Sequence, residues 1–142
     1  TVGSEQKSGK GIYRITGTRK TVTFVKPMND KNTSFNVPAS VKLADGRYKV
    51  TAIDKNAFKN NRKLKKVTIG NNVKKIEKNA FAGCSKLKTV NMKKATGITS
   101  IGSKAFSKID AKAKVTVPAK KLSKYKRMLK KAGLPKKATV KK

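Results

Sequence analysis

A chain of 142 residues with 38 Lys and Arg against six Asp and Glu carries a formal charge of +32 at pH 7, so its folded state has to tolerate strong self-repulsion. Histidine and tryptophan are absent and Cys84 is the single cysteine, which excludes a Ser-His-Asp triad, a histidine metal cage and an internal disulfide framework. With 36% hydrophobic residues the length suits one domain with a modest core, and no apolar run reaches the roughly eighteen residues of a membrane span.

In chain order, Thr1 to Gly11 has neither an apolar signal core nor an initiator Met. Residues 1–11 read as a linker in a processed or excised piece of something longer. A phosphate loop is not formed there, because Gly3 stands one position too far from Gly9-Lys10 and Gly11 replaces the required Ser or Thr. Tyr13-Arg14-Ile15-Thr16 and Thr21-Val22-Thr23-Phe24-Val25 alternate as strands do, and Pro27 with Asn29-Asp30 closes the run. Val41-Lys42-Leu43 and Tyr48-Lys49-Val50 flank Asp45-Gly46, a hairpin signal. Residues 12–52 are therefore expected to form an N-terminal β cap.

Self-similarity governs residues 53–117. Ile-x-x-x-Ala-Phe occurs at Ile53 to Phe58, Ile76 to Phe81 and Ile101 to Phe106, at spacings of 23 and 25 residues. Nine and eleven residues after each Phe stands an apolar pair: Val67 and Ile69, Val90 and Met92, Val115 and Val117. Leu64 and Leu87 lie six residues after the first two Phe, and Lys112 holds that place in the third copy. The alternating end of each copy predicts a strand with one buried face, and Lys-Asn-Ala-Phe a short helical turn, its Ala letting the backbone pass close at a corner; each coil is expected to hold two short strands. The two extra residues of the longer spacing fall around Ala95-Thr96-Gly97, in a turn expected outside the stack. One such unit cannot bury its apolar side alone, whereas stacked units line their Ile, Phe, Leu and Val positions into continuous columns. The expected core is Ile53, Phe58, Leu64, Val67, Ile69, Ile76, Phe81, Cys84, Leu87, Val90, Met92, Ile101, Phe106, Val115 and Val117. Cys84, three residues after Phe81, is expected to be a buried structural thiol.

Residues 118–142 complete the chain as a helix and strand cap. Leu122, Tyr125, Leu129 and Ala132 share one helical face, with Lys121, Lys124, Arg127, Lys130 and Lys131 largely elsewhere. Gly133 and Pro135 stop the helix, and Ala138-Thr139-Val140 suits a last short strand. Covering the open end of the array uses this apolar face fully; a membrane-surface helix is the competing reading.

The units resemble BspA-type leucine-rich repeats, which run Ile-x-x-x-Ala-Phe-x-x-Cys-x-x-Leu-x-x-Val-x-Ile; Ala80, Phe81, Cys84, Leu87, Val90 and Met92 follow that pattern nearly position for position. Asn61 and Ile109 replace its Cys and Lys112 its Leu, so the third coil is degenerate. The flanks, from Tyr48 to Ile53 and from Val117-Pro118 onward, also resemble surface repeat proteins of gut bacteria, and the likeness covers roughly residues 36–142. It implies a β-rich α+β solenoid, a short leucine-rich-repeat array of about three coils with an N-terminal β-hairpin cap and a C-terminal amphipathic helix cap. It further implies a secreted or cell-surface bacterial protein of the adhesion type, without catalysis.

The charge is uneven: residues 1–54 carry ten basic and four acidic groups, and 55–142 carry twenty-eight and two. Only five of the basic residues are Arg (Arg14, Arg19, Arg47, Arg62 and Arg127), and Arg is the usual reader of bases and phosphates. The basic runs single out Lys65, Lys66, Lys74, Lys75, Lys88, Lys93, Lys94, Lys120, Lys121 and Lys124 as contacts for an anionic partner. Stacking in register sets Lys65 beside Lys88 and then Ala113, and Lys66 beside Thr89 and then Lys114, so neither column is basic throughout. Ser-x-x-Lys occurs at Ser4/Lys7, Ser85/Lys88 and Ser123/Lys126, close to the chance number and without a companion Lys-Thr-Gly or Ser-Asp-Asn. No catalytic residue, cofactor or metal is expected. Expected partners are a protein or an anionic polysaccharide or cell-wall polymer; nucleic acid would be held only non-specifically, and no membrane insertion is foreseen. The chain is expected to be a monomer or part of a larger chain. A binding or adhesion module leads, with a structural spacer or wall-associating unit as the alternative.

Overall fold

The computed structural model describes residues 2–17 and 19–142. Alternating apolar residues build its first part: β1 (Glu5–Ser8), β2 (Gly11–Gly17) and β3 (Thr21–Pro27) pair antiparallel in succession, with Tyr13, Ile15, Val22 and Phe24 turned inward and buried. Strand β1 departs from the linker reading of residues 1–11. Ser8 faces Gly11 across a Gly9-Lys10 turn with Gly9 at φ 55°, so the glycine that suggested a linker serves a tight hairpin instead.

Next come β4 (Ser34–Val37), β5 (Ser40–Leu43) and β6 (Gly46–Ile53). β5 and β6 form the expected hairpin, but Leu43 faces Gly46, so the turn is Ala44-Asp45 and not Asp45-Gly46. Asp45 is well used there: its carboxylate accepts the Tyr48 hydroxyl at 2.8 and 2.9 Å, and its carbonyl accepts Lys20 Nζ at 2.9 Å.

The repeats supply β7 (Lys66–Ile69), β8 (Lys75–Ile76), β9 (Thr89–Asn91), β10 (Ser100–Ile101) and β11 (Lys114–Thr116). Each coil thus contributes one strand to each of two sheets. The repeat sheet has the order β4, β7, β9, β11 and β12 (Thr139–Lys141), all parallel, with Phe35, Val67, Val90, Val115 and Val140 side by side. The long sheet runs β1, β2, β3, β6, β8 and β10, with β5 also on β6. Strand β6 is the hinge of the design, antiparallel to β5 yet parallel to β3 and β8.

The third side of each coil contains no helix. The Phe58 and Phe81 amides donate to the carbonyls of Ala80 and Ala105, each at 2.7 Å, so the Ala-Phe segment is bonded to the next coil instead of to itself. The expected helical turn fails for a backbone reason: Asn56, Asn79 and Lys104 have φ of 61°, 59° and 60°, and four residues on Asn60, Gly83 and Lys108 have 60°, 78° and 58°. Two left-handed residues per coil break any helical run, and Asn and Gly tolerate that conformation far better than Lys.

Register stacking gives the core its character. Phe24 of β3, Phe58, Phe81 and Phe106 form a ladder of rings at 5.3, 4.9 and 5.0 Å, tilted by 18°, 8° and 12°. That spacing is close to the strand separation of about 4.8 Å, so the backbone ladder sets the ring geometry. The cap therefore starts the Phe column itself. A further column, Val50, Val73 and Ile98, lies three residues before each repeat Ile and is fully buried. Of the expected core only Ile101 stays partly exposed.

The inserted residues do not lie wholly outside the stack. Thr96 and Gly97 are exposed but Ala95 is buried, and the Tyr125 hydroxyl donates to the Ala95 carbonyl at 2.5 Å and accepts the amide of Ile98, the column residue that follows, at 3.0 Å. Tyr125 belongs to α1 (Leu122–Lys131), whose inward face also carries Leu129, with Ala132 just after it. The Ala132 carbonyl accepts the Phe106 amide at 3.1 Å, doing for the last coil what Ala105 does for Phe81. Gly133, at φ 88°, ends α1: its amide bonds Lys130 and that of Leu134 bonds Leu129, the paired bonds of a Schellman cap.

Two expected outcomes test this account. Phe81→Ala, at the centre of the ring ladder, should cost about 3–5 kcal/mol in denaturant unfolding; a loss below 1 kcal/mol would contradict the ladder. Lys104→Asn should raise stability by up to about 1 kcal/mol by easing a left-handed backbone position, whereas the same change at exposed Lys126 should not.

Candidate binding surface

Outward positions of the repeat sheet follow from its register. One column holds Ser34, Lys66, Thr89, Lys114 and Thr139, and the next Asn36, Thr68, Asn91, Thr116 and Lys141. At the upstream edge of the sheet the strands begin irregularly. The Thr33 carbonyl accepts both Lys65 and Lys66 amides, at 2.7 and 3.2 Å, and the Lys65 carbonyl accepts both Lys88 and Thr89, at 2.9 and 3.1 Å. Two successive amides on one carbonyl interrupt strict alternation, as a bulge does, and let both residues reach solvent. Lys65, Lys66, Lys88, Lys112 and Lys114 are all exposed along this edge. The nearby carboxylate is Asp110, whose Oδ1 accepts the Lys112 amide at 2.8 Å.

The ten lysines picked out from the sequence do not share one patch. Lys65, Lys66 and Lys88 stand on the upstream edge. Lys93 and Lys94 follow β9, and Lys120 and Lys121 follow β11, at the opposite end of the same strands. Lys74 and Lys75 belong to the long sheet, where the Lys74 amide bonds Thr51 and its carbonyl takes Thr99. Lys124 is exposed on α1. Lys112 and Lys114 complete the upstream edge. The signal for Lys112 was present, since it breaks the Leu column at that place, but it reads as degeneracy until the strands are aligned.

Most of this charge has no ionic partner. Among the described residues the ion pairs are both made by Arg14, with Asp54 at 3.0 Å and Glu5 at 3.9 Å. Among them, too, no cluster of three His, Cys, Asp or Glu side chains could hold a metal, and no helix is long and apolar enough to cross a membrane. A shallow cleft beside β4, between the first hairpin and β5, brings Lys10, Lys42 and Arg47 near Ser34 and Asn36; Arg47 donates to Ser40 Oγ at 2.9 Å.

Cys84 is fully buried and its Sγ donates to the Phe58 carbonyl at 3.0 Å. Burial pushes the thiol up to about 12, so the nucleophilic thiolate is suppressed at neutral pH. Tyr13 is likewise raised to about 12 by burial.

A parallel stack of short strands, a ladder of inward rings and an amphipathic end helix define the class: a capped repeat solenoid. The particular family follows from comparison. Residues 31–132 match the family model of the BspA type leucine rich repeat region in six copies, and the chain belongs to that family. Three solved structures are similar. A leucine rich cell surface protein from Faecalibacterium prausnitzii is 26% identical with a TM-score of 0.68, over 83% of this chain and 33% of its own. A leucine-rich repeat protein from Bacteroides capillosus is 23% identical with a TM-score of 0.73, over 96% of this chain and 98% of its own. A leucine-rich repeat protein from Bacteroides ovatus is 24% identical with a TM-score of 0.61, over 80% of this chain and 37% of its own. The chain thus spans about a third of the first of these and nearly all of the second. No match was found among curated proteins.

The buried thiol gives a pH test. An unfolded thiol ionises near pH 9 while the folded one, raised to about 12, stays neutral, so between these values deprotonation favours the unfolded chain. The stability advantage of the natural protein over Cys84→Ala should be constant below about pH 8.5 and shrink above it. Parallel pH curves under reducing conditions would show that the thiol is not buried.

Proposed function

We propose that the chain is a non-catalytic binding or adhesion module of a secreted or surface-displayed bacterial protein, contacting anionic host or cell-wall macromolecules through its repeat surface. The observation that carries this reading is the lysine coat: 38 basic residues, of which Arg14 forms the ion pairs found among the described residues. Unneutralised lysines raise the local concentration of anionic partners and speed encounter, and a stack of coils offers multipoint contact along an extended face. The family and the cell-surface description of the F. prausnitzii relative support the location. The array with its two flanking caps would act as one binding unit, as a monomer or as part of a larger chain.

A second reading, a spacer or wall-associating unit, draws on the same charge, since +26 of it lies after residue 54. Incubation of the protein with a panel of matrix proteins, acidic glycans and cell-wall polymers at physiological salt separates the two. Saturable binding to a defined anionic macromolecule is expected of the module. Retention on bacterial cells that high salt releases, with no saturable partner in the panel, favours the spacer. Attraction to DNA that vanishes between low and physiological salt is the expected non-specific background.

A further inference from the structure

We propose that the upstream edge of the repeat sheet is a track for a linear acidic polysaccharide, lying along the stacking axis across β7, β9 and β11. The proposal rests on the anionic-partner reading above and narrows it to one surface and one polymer class. Three consecutive strands, about 4.8 Å apart, each place lysine on this edge: Lys65 and Lys66, then Lys88, then Lys112 and Lys114. The doubled amides on the Thr33 and Lys65 carbonyls turn Lys65 with Lys66 and Lys88 with Thr89 outward, while Lys112 and Lys114 flank the buried Ala113 by plain alternation. Asp110 is the acid that faces them, and one of its oxygens already holds the Lys112 amide.

Beside the lysines runs a ladder of small polar groups. Thr68, Asn91 and Thr116 form it, while Thr89 stands in the lysine column between Lys66 and Lys114. The hydroxyls of Thr68, Thr89 and Thr116 have no hydrogen-bond partner within the described chain, and Asn91, whose Oδ1 takes the Lys93 amide, keeps its amide nitrogen to donate. Such a ladder, repeating at each strand, suits the ring hydroxyls of a sugar chain, while the ammonium groups suit its carboxylates or sulfates. Five strands extend this face to about 19 Å.

Nucleic acid fits the face less well. All five Phe and three Tyr are buried and Trp is absent, which leaves no aromatic platform on which bases stack. The five basic residues of the track are all Lys, without the bidentate hold of Arg on phosphate.

The test measures binding of the whole chain to immobilised polygalacturonate at physiological salt, with polyphosphate, single-stranded DNA and uncharged dextran as comparators. Replacing Lys66, Lys88 and Lys114 by Ser should weaken polygalacturonate binding at least about tenfold. The same change in charge at Lys126, Lys130 and Lys137, on and after α1, should leave it within about twofold. Thr68→Val, Thr89→Val and Thr116→Val together should weaken binding to polygalacturonate but not to polyphosphate. All these positions lie outside the core, and unchanged thermal unfolding confirms that each variant folds. Equal losses from the two lysine triples, or threonine variants without effect, would overturn the track while leaving an anionic partner in place. Failure of the natural protein to bind any polyanion at physiological salt would overturn both.

Discussion

The rest of the structure depends on one constraint: every coil must bond its backbone to the next in register. Parallel strands on two sides, and amide-to-carbonyl bonds from Phe58 to Ala80 and from Phe81 to Ala105 on the third, fix each residue opposite its counterpart. Side chains then have no choice of partner. Rings stack on rings at the strand spacing, valine lies on valine, and a single insertion has to be absorbed locally, as Tyr125 does at Ala95 and Ile98. A linear core of this kind buries apolar surface only between neighbours, which explains why both ends are closed by chain of a different kind.

The same register governs the charge. Outward residues on adjacent strands are brought within one strand spacing whether or not their charges agree, so a lysine-rich sequence becomes a lysine-rich surface. Repulsion along that surface opposes the burial beneath it, and salt or a polyanion relieves it. Any polyanion that bridged coils would by the same physics stabilise the fold as it bound.

The candidate surface was less legible than the core. Core positions are apolar and periodic, so Ile53, Phe81 or Val115 announce themselves at fixed offsets. Surface lysines are numerous, carry no period of their own and look alike in sequence. The ten selected by runs scatter over both ends of the repeat sheet, the long sheet and α1. Lys112 and Lys114 join Lys65, Lys66 and Lys88 only because of how the strands begin, which depends on bonds between residues more than twenty positions apart.

By itself the sequence determined the repeat, its register at Ile-x-x-x-Ala-Phe, the inward columns, the end helix and the solenoid class, because each follows from apolar periodicity along the chain. Tertiary structure alone decided the rest. It gave the Ala-Phe segment a left-handed, coil-to-coil turn in place of a helix, made Glu5–Ser8 a strand, moved the hairpin turn to Ala44-Asp45, and brought Phe24 of the cap onto the ring ladder. The physical reason is common to all four. Each rests on hydrogen bonds or contacts between segments, whose partners local composition does not name.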